Sequence, residues 1–146
     1  ERAAYLGMFA QARIGAAKPY WAYGQMLPTP PLSIPQEDRQ WFHYNHGEHA
    51  PTFEASGSHS VPTIRHSAYK SPDGKIALFF ANSSEAEQPL SLDLSALAAH
   101  YGQAPPALSR IVDGEAEPLL TGASLSGTLE QRFSPRSIYM LEFTTP

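Results

Sequence analysis

The sequence predicts an all-β fold: an antiparallel β-sandwich of about seven to eight strands with one N-terminal helix. Three observations predict it. Short apolar or alternating runs recur roughly every ten residues between Val61 and Phe143. Turn-forming clusters such as Ser71-Pro72-Asp73-Gly74 and Asp113-Gly114 separate these runs. Ahead of them, Ala3–Ala17 places Tyr5, Met8, Phe9, Ala12 and Ala16 at spacings of three and four, the period of a helix with one apolar face.

The helix is expected over Ala3–Ala17, with Gly15 weakening its last turn and Pro19, which lacks a backbone donor, stopping it. Tyr20–Leu27 is short and aromatic, a strand or a bend. Pro28-Thr29-Pro30-Pro31 and Pro35 predict an extended linker. Gln36–Ser58 has weak periodicity, and short strands are expected near Gln40–Tyr44 and Thr52–Ser56. Thr63–Tyr69 alternates and enters the Pro72-Asp73-Gly74 turn, where Pro presets φ and Gly accepts a positive one.

Lys75–Asn82 (KIALFFAN) is almost continuously apolar, as a strand covered on both faces must be. Gln88–Ser95 alternates, with Leu90, Leu92 and Leu94 inward. Ala96–Tyr101 reads as a short helical turn or loop. Leu108–Val112 and Glu117–Leu120 flank Asp113-Gly114 as a hairpin. Ser124–Phe133 and Ser137–Phe143 complete the set. The expected organisation is a helix and aromatic lead-in over 1–27, a Pro-rich and irregular stretch over 28–60, and the sandwich core over 61–146.

A chain of 146 residues buries roughly 70% of the surface its unfolded form exposes, so this fold needs no disulfide or metal. Cysteine is absent, and with it any sequence signal of redox compartment, so localisation is left open. The net charge of −4 and scattered Lys and Arg exclude a basic nucleic-acid footprint. No apolar run reaches the roughly 20 residues of a membrane span, and a soluble chain is expected. The chain opens at Glu1 already inside a helical pattern, which suggests a piece of a longer protein.

Three kinds of chemistry are open to its polar residues. His43, His46 and His49 lie three apart and on a helix would share a face able to hold zinc or nickel. Gly47 and Pro51 oppose a helix there, and a polar loop accounts for the same residues. Glycoside hydrolysis needs two facing carboxylates. Glu37, Asp38, Glu48, Glu54, Asp73, Asp93, Asp113, Glu115 and Glu117 are available, but they fall in turns, in the irregular stretch or on outward strand positions. No G-x-S-x-G elbow or phosphate loop occurs, and Gly57-Ser58-His59-Ser60 reads as a Gly/Ser loop.

The aromatic residues of the first third are the remaining candidates. Trp21, Trp41 and Tyr44 would stack on sugar rings if exposed, and would pack the helix against a sheet if buried. No cofactor is expected.

The path from YWAYGQM (Tyr20–Met26) through the Pro-rich stretch to VPTIRHSAYKSPDGKIALFFANSS (Val61–Ser84), QPLSLDL (Gln88–Leu94) and FSPRSIYMLEF (Phe133–Phe143) resembles the C-terminal β-sandwich of glycosidase-like (β/α)₈-barrel proteins. The resemblance implies a non-catalytic accessory domain that packs on an upstream catalytic barrel, within a parent enzyme acting on carbohydrate. Catalytic acids would lie on that barrel, so none carries over to this chain. The helix at Ala3–Ala17 would be the element leading out of the barrel. The expected partners are the barrel, or a second copy through the Tyr5/Met8/Phe9 face, and a polysaccharide. The rival expectations are a carbohydrate-binding module using Trp21, Trp41 and Tyr44, and a small His-rich metal protein.

Overall fold

The computed structural model describes residues 2–45, 52–101, 106–120 and 127–143. Three helices, α1 (Arg2–Ile14), α2 (Lys18–Trp21) and α3 (Leu94–Tyr101), accompany ten strands among the described residues. The strands are β1 (Gln25–Leu27), β2 (Gln36–Asn45), β3 (Thr52–Pro62), β4 (Ile64–Lys70), β5 (Ile76–Asn82), β6 (Gln88–Asp93), β7 (Pro106–Val112), β8 (Glu115–Leu120), β9 (Thr128–Phe133) and β10 (Ser137–Phe143). A six-stranded antiparallel sheet runs in the order β1-β4-β5-β10-β7-β8, and β2-β3 and β6-β9 form two further pairs.

Every residue of β5 is buried, and so is all of β10 except Glu142. Alternate side chains serve two cores. On one face Ile76, Leu78, Phe80, Tyr139, Leu141 and Phe143 meet Leu90, Leu92 and Phe133 of the β6–β9 pair and Leu94 and Leu97 of α3. On the other face Ala77, Phe79, Ile138 and Met140 meet Ala12, Ala17 and Tyr20 of the helical segment. The near-continuous apolar reading of KIALFFAN follows from this double covering.

Turn chemistry fixes the register. Gly74 has φ 92° and closes the β4–β5 connection by donating its N–H to the Ser71 carbonyl at 3.0 Å. Asp113 (φ 50°) and Gly114 (φ 86°) form the two-residue turn between β7 and β8, where positive φ at both positions matches strand twist. Asn82 is buried and ties the β5–β6 connection to the end of β9. Its Nδ2 donates to the carbonyls of Ala86, Phe133 and Ser134 at 2.8, 3.0 and 2.9 Å, and its Oδ1 accepts from the Ser84 N–H and Oγ.

The structure departs from the sequence expectation in four places. The first helix stops at Ile14, because Gly15 lies against the Gly114 carbonyl and Ala16 N–H donates to that carbonyl at 2.6 Å. Pro19 starts a second short helix instead of only ending the first, since a missing N–H costs nothing in a first turn. The Pro-rich stretch packs Leu32 and Ile34 against the core around Phe80 and Leu92, and Tyr101 Oη donates to the Pro28 carbonyl at 3.2 Å.

The fourth departure is the irregular stretch. It forms one long two-stranded ribbon, β2–β3, which includes the Gly57–Ser60 segment read as a loop. The ribbon and the short edge strand β1 bring the strand count to ten. Short strands were expected inside it near Gln40–Tyr44 and Thr52–Ser56, but its full length was not, because the residues do not alternate as in a half-buried strand.

Candidate interaction surfaces

Trp21 does not stand free. Its ring lies between Phe9 (5.9 Å between centroids, 16° between planes) and Phe79 (4.7 Å, 49°), and its buried Nε1 has no hydrogen-bond partner. It therefore helps cement α2 and α1 to the sheet, and is not presented as a sugar platform. Beside it is a hollow of about 410 Å³ lined by Tyr5, Phe9, Arg65, Ser67, Phe79 and Ser83, among others. The small side chains Ala81, Ser67 and Ser83 contribute the lining that larger residues would fill.

A second hollow of about 450 Å³ lies on the other side of Tyr5, against Met8, Glu85 and Arg136. Arg136 anchors this corner. Its guanidinium donates to the Ser83 carbonyl and to Glu85 Oε1, the latter at 3.0 Å, and lies 5.4 Å over the Tyr5 ring. Burial raises the Tyr5 hydroxyl above its ordinary range, and the Arg136 charge opposes that shift.

The inner stripe of α1 is occupied: Ala12 is buried, and Met8 and Phe9 pack against the sheet. The outer face is not. Leu6 is 68% exposed and Ile14 76%, with Ala3 and Ala10 also exposed. Apolar side chains therefore stand on two sides of α1, with the polar Gln11 and Arg13 between them.

The acids are held in local structure. Asp73 Oδ1 accepts from Ser71 Oγ, and this bond, aided by Lys75, holds its carboxyl below the usual range. Asp93 caps α3 by accepting from Ser95 Oγ at 2.6 Å and Ala96 N–H at 3.0 Å, with the same effect. Glu142 accepts from Tyr20 Oη. Burial, and then this bond, push the Tyr20 hydroxyl far above its ordinary range. Neither hollow beside α1 is lined by two carboxylates.

His43 lies on exposed β2, while His46 and His49 fall outside the described residues. Among the described residues no group of three or more His, Asp or Glu could hold a metal ion. Tyr44 continues β2 in the backbone, and its side chain also falls outside the description.

Trp41 is 39% exposed on the ribbon, directly opposite Gly57, with His59 two pairs further along on the same face. The Trp41 and His59 rings are 5.9 Å apart and within 15° of parallel. Sequence reasoning reached Trp41 but missed His59 and Gly57, which matter only once the ribbon register places them beside it. It also missed Arg136, whose partners are more than 50 residues away in the chain.

The fold defines the class: a β-sandwich domain, with no helix among the described residues long and apolar enough to cross a membrane. More particularly, residues 53–138 match the model of the glycosyl hydrolase family 30 beta sandwich domain, and the chain belongs to that domain family. Matching solved structures include the catalytic domain of GH30 xylanase C from Talaromyces cellulolyticus, at 18% identity and a TM-score of 0.38. That alignment covers 62% of this chain and 20% of the other, so this chain spans about a fifth of that length. No curated protein sequence matches.

Proposed function

We propose that the chain is a non-catalytic accessory sandwich of a glycoside hydrolase, and that it docks on an upstream catalytic barrel through α1 and the two hollows beside Tyr5. The observation that carries this reading is the two-sided apolarity of α1. Its inner stripe holds it to the sheet while Leu6 and Ile14 stand in solvent. Covering such side chains contributes about 25 cal/mol per Å² of apolar area removed from water. The family membership supplies the class of partner.

The test uses the natural reading frame with its upstream residues. Leu6→Glu with Ile14→Lys should lower the melting temperature of the longer protein or split its transition in two. The same pair in the 146-residue chain should leave the melt unchanged, because both side chains are already exposed there. Equal effects in both forms would remove this docking face. A homodimer is the competing occupant of the same surface, and sedimentation of the isolated chain and its double variant reads it directly.

A further inference from the structure

The β2–β3 ribbon is the part of the molecule that neither core uses. β3 runs on into β4 through Thr63, whose N–H and Oγ1 both donate to the Pro35 carbonyl, at 2.9 and 3.0 Å, and close the ribbon's base. Beyond that base, the described side chains are mixed. Asp38, Gln40, Ser58 and Ser60 share one face with the exposed Phe42, and Glu37, Arg39 and His59 share the other with Trp41. Two-stranded ribbons without a sheet or helix behind them are marginal in water. Keeping a large indole at the surface of one therefore calls for a reason.

The geometry of that indole is specific. A Cβ on Gly57 would sit 2.8 Å from Trp41 Nε1 and 3.0 Å from two further ring carbons, so the indole lies over the bare Cα of its cross-strand partner. His59, on the same face and diagonal to Trp41, holds its ring nearly parallel. Next along this face, Arg39 and Glu37 neutralise each other at 2.5 Å. The result is an uncharged aromatic strip edged by hydrogen-bonding groups and without a continuous apolar margin. A protein interface needs that margin at its centre. A neutral sugar does not, because it offers C–H faces to the rings and hydroxyls to the polar edge.

We propose that Trp41 and His59, seated by Gly57, form a binding platform for a neutral polysaccharide chain. This goes beyond the docking reading and uses a different surface. The competing role is a staple that only holds the ribbon together, and the experiment separates the two.

The 146-residue chain is run in affinity gels containing one of four probes: neutral arabinoxylan, mixed-linkage β-glucan, β-1,3-glucan or β-1,6-glucan. At least one should retard it, equally at low and high salt since no net charge is involved. Trp41→Ala should weaken that binding about tenfold, and His59→Ala should weaken it less. Gly57→Val should weaken it with Trp41 intact, because the new side chain displaces the indole. Trp41→Tyr should restore most of it, which guards against loss by misfolding.

In amide–indole NMR spectra the Trp41 Nε1–H should shift with the probe while that of Trp21 stays in place. The proposal is overturned if none of the four probes retards the chain. Retardation that Trp41→Ala and Gly57→Val leave unchanged overturns it too. These outcomes do not touch the docking of α1, which is read by the Leu6/Ile14 pair in the longer protein.

Discussion

Asn82 shows how one polar side chain organises two distant loops. Its amide satisfies three carbonyls and its oxygen two donors, all from the β5–β6 connection and the end of β9. Asn82→Ala leaves these groups short of partners and should cost about 3 kcal/mol in denaturant unfolding. Asn82→Asp should cost more, since a second oxygen would face the three carbonyls. The ANSS run reads in sequence only as a polar turn. Its role depends on Phe133 and Ser134, about fifty residues on, which local patterning does not reveal.

Tyr20 gives a pH test at the same scale. Its folded-state pKa is raised by burial and by its bond to Glu142, so the folded state keeps the proton that the unfolded chain releases. Its contribution is full below the ordinary tyrosine range near 10 and is lost as pH rises above it. Melting temperature should therefore fall more steeply above pH ~10 in the parent than in Tyr20→Phe. Equal slopes would show that the buried hydroxyl is not linked to folding.

Among the elements, β5 was the most legible. Its apolar run announced a strand covered twice, and the structure covers it with helices on one side and the β6–β9 pair on the other. Phe79 faces the helices, within 4.7 Å of Trp21 and 5.6 Å of Tyr20. Phe79→Ala should cost about 3–5 kcal/mol and loosen α1 and α2. A loss below about 1 kcal/mol would contradict the double covering.

The turns at Asp73-Gly74 and Asp113-Gly114 were legible for a local reason, since the residues that must adopt positive φ are written in the turn itself. The end of α1 was not, because it is set by Gly15 meeting Gly114 across a hundred residues. The full length of the ribbon was not legible either. Its described side chains mix polar residues with Trp41 and Phe42, and Trp21 and Trp41 look alike in sequence. Only packing separates the cemented indole from the presented one.

At the scale of the whole molecule, the chain belongs to a sandwich-domain family, and the proposed accessory role fixes what it should do with substrate. The 146-residue chain should turn over no aryl glycoside above buffer. Turnover abolished by a single Asp or Glu replacement would place catalysis within the sandwich and reverse the accessory reading. The resemblance read from Val61–Ser84 and Phe133–Phe143 identified the sandwich because those segments are its central strands and their turns. It could not locate the docking face proposed above, which would lie on a helix preceding them.

The central claim is that α1 is an interface shared between this sandwich and a catalytic barrel. Hydrogen–deuterium exchange of α1, in the chain alone and in the longer natural polypeptide, tests it most directly. Residues Arg2–Ile14 should exchange markedly more slowly in the longer protein, with β5 and β10 unchanged. Equal exchange of α1 in the two forms would contradict the claim.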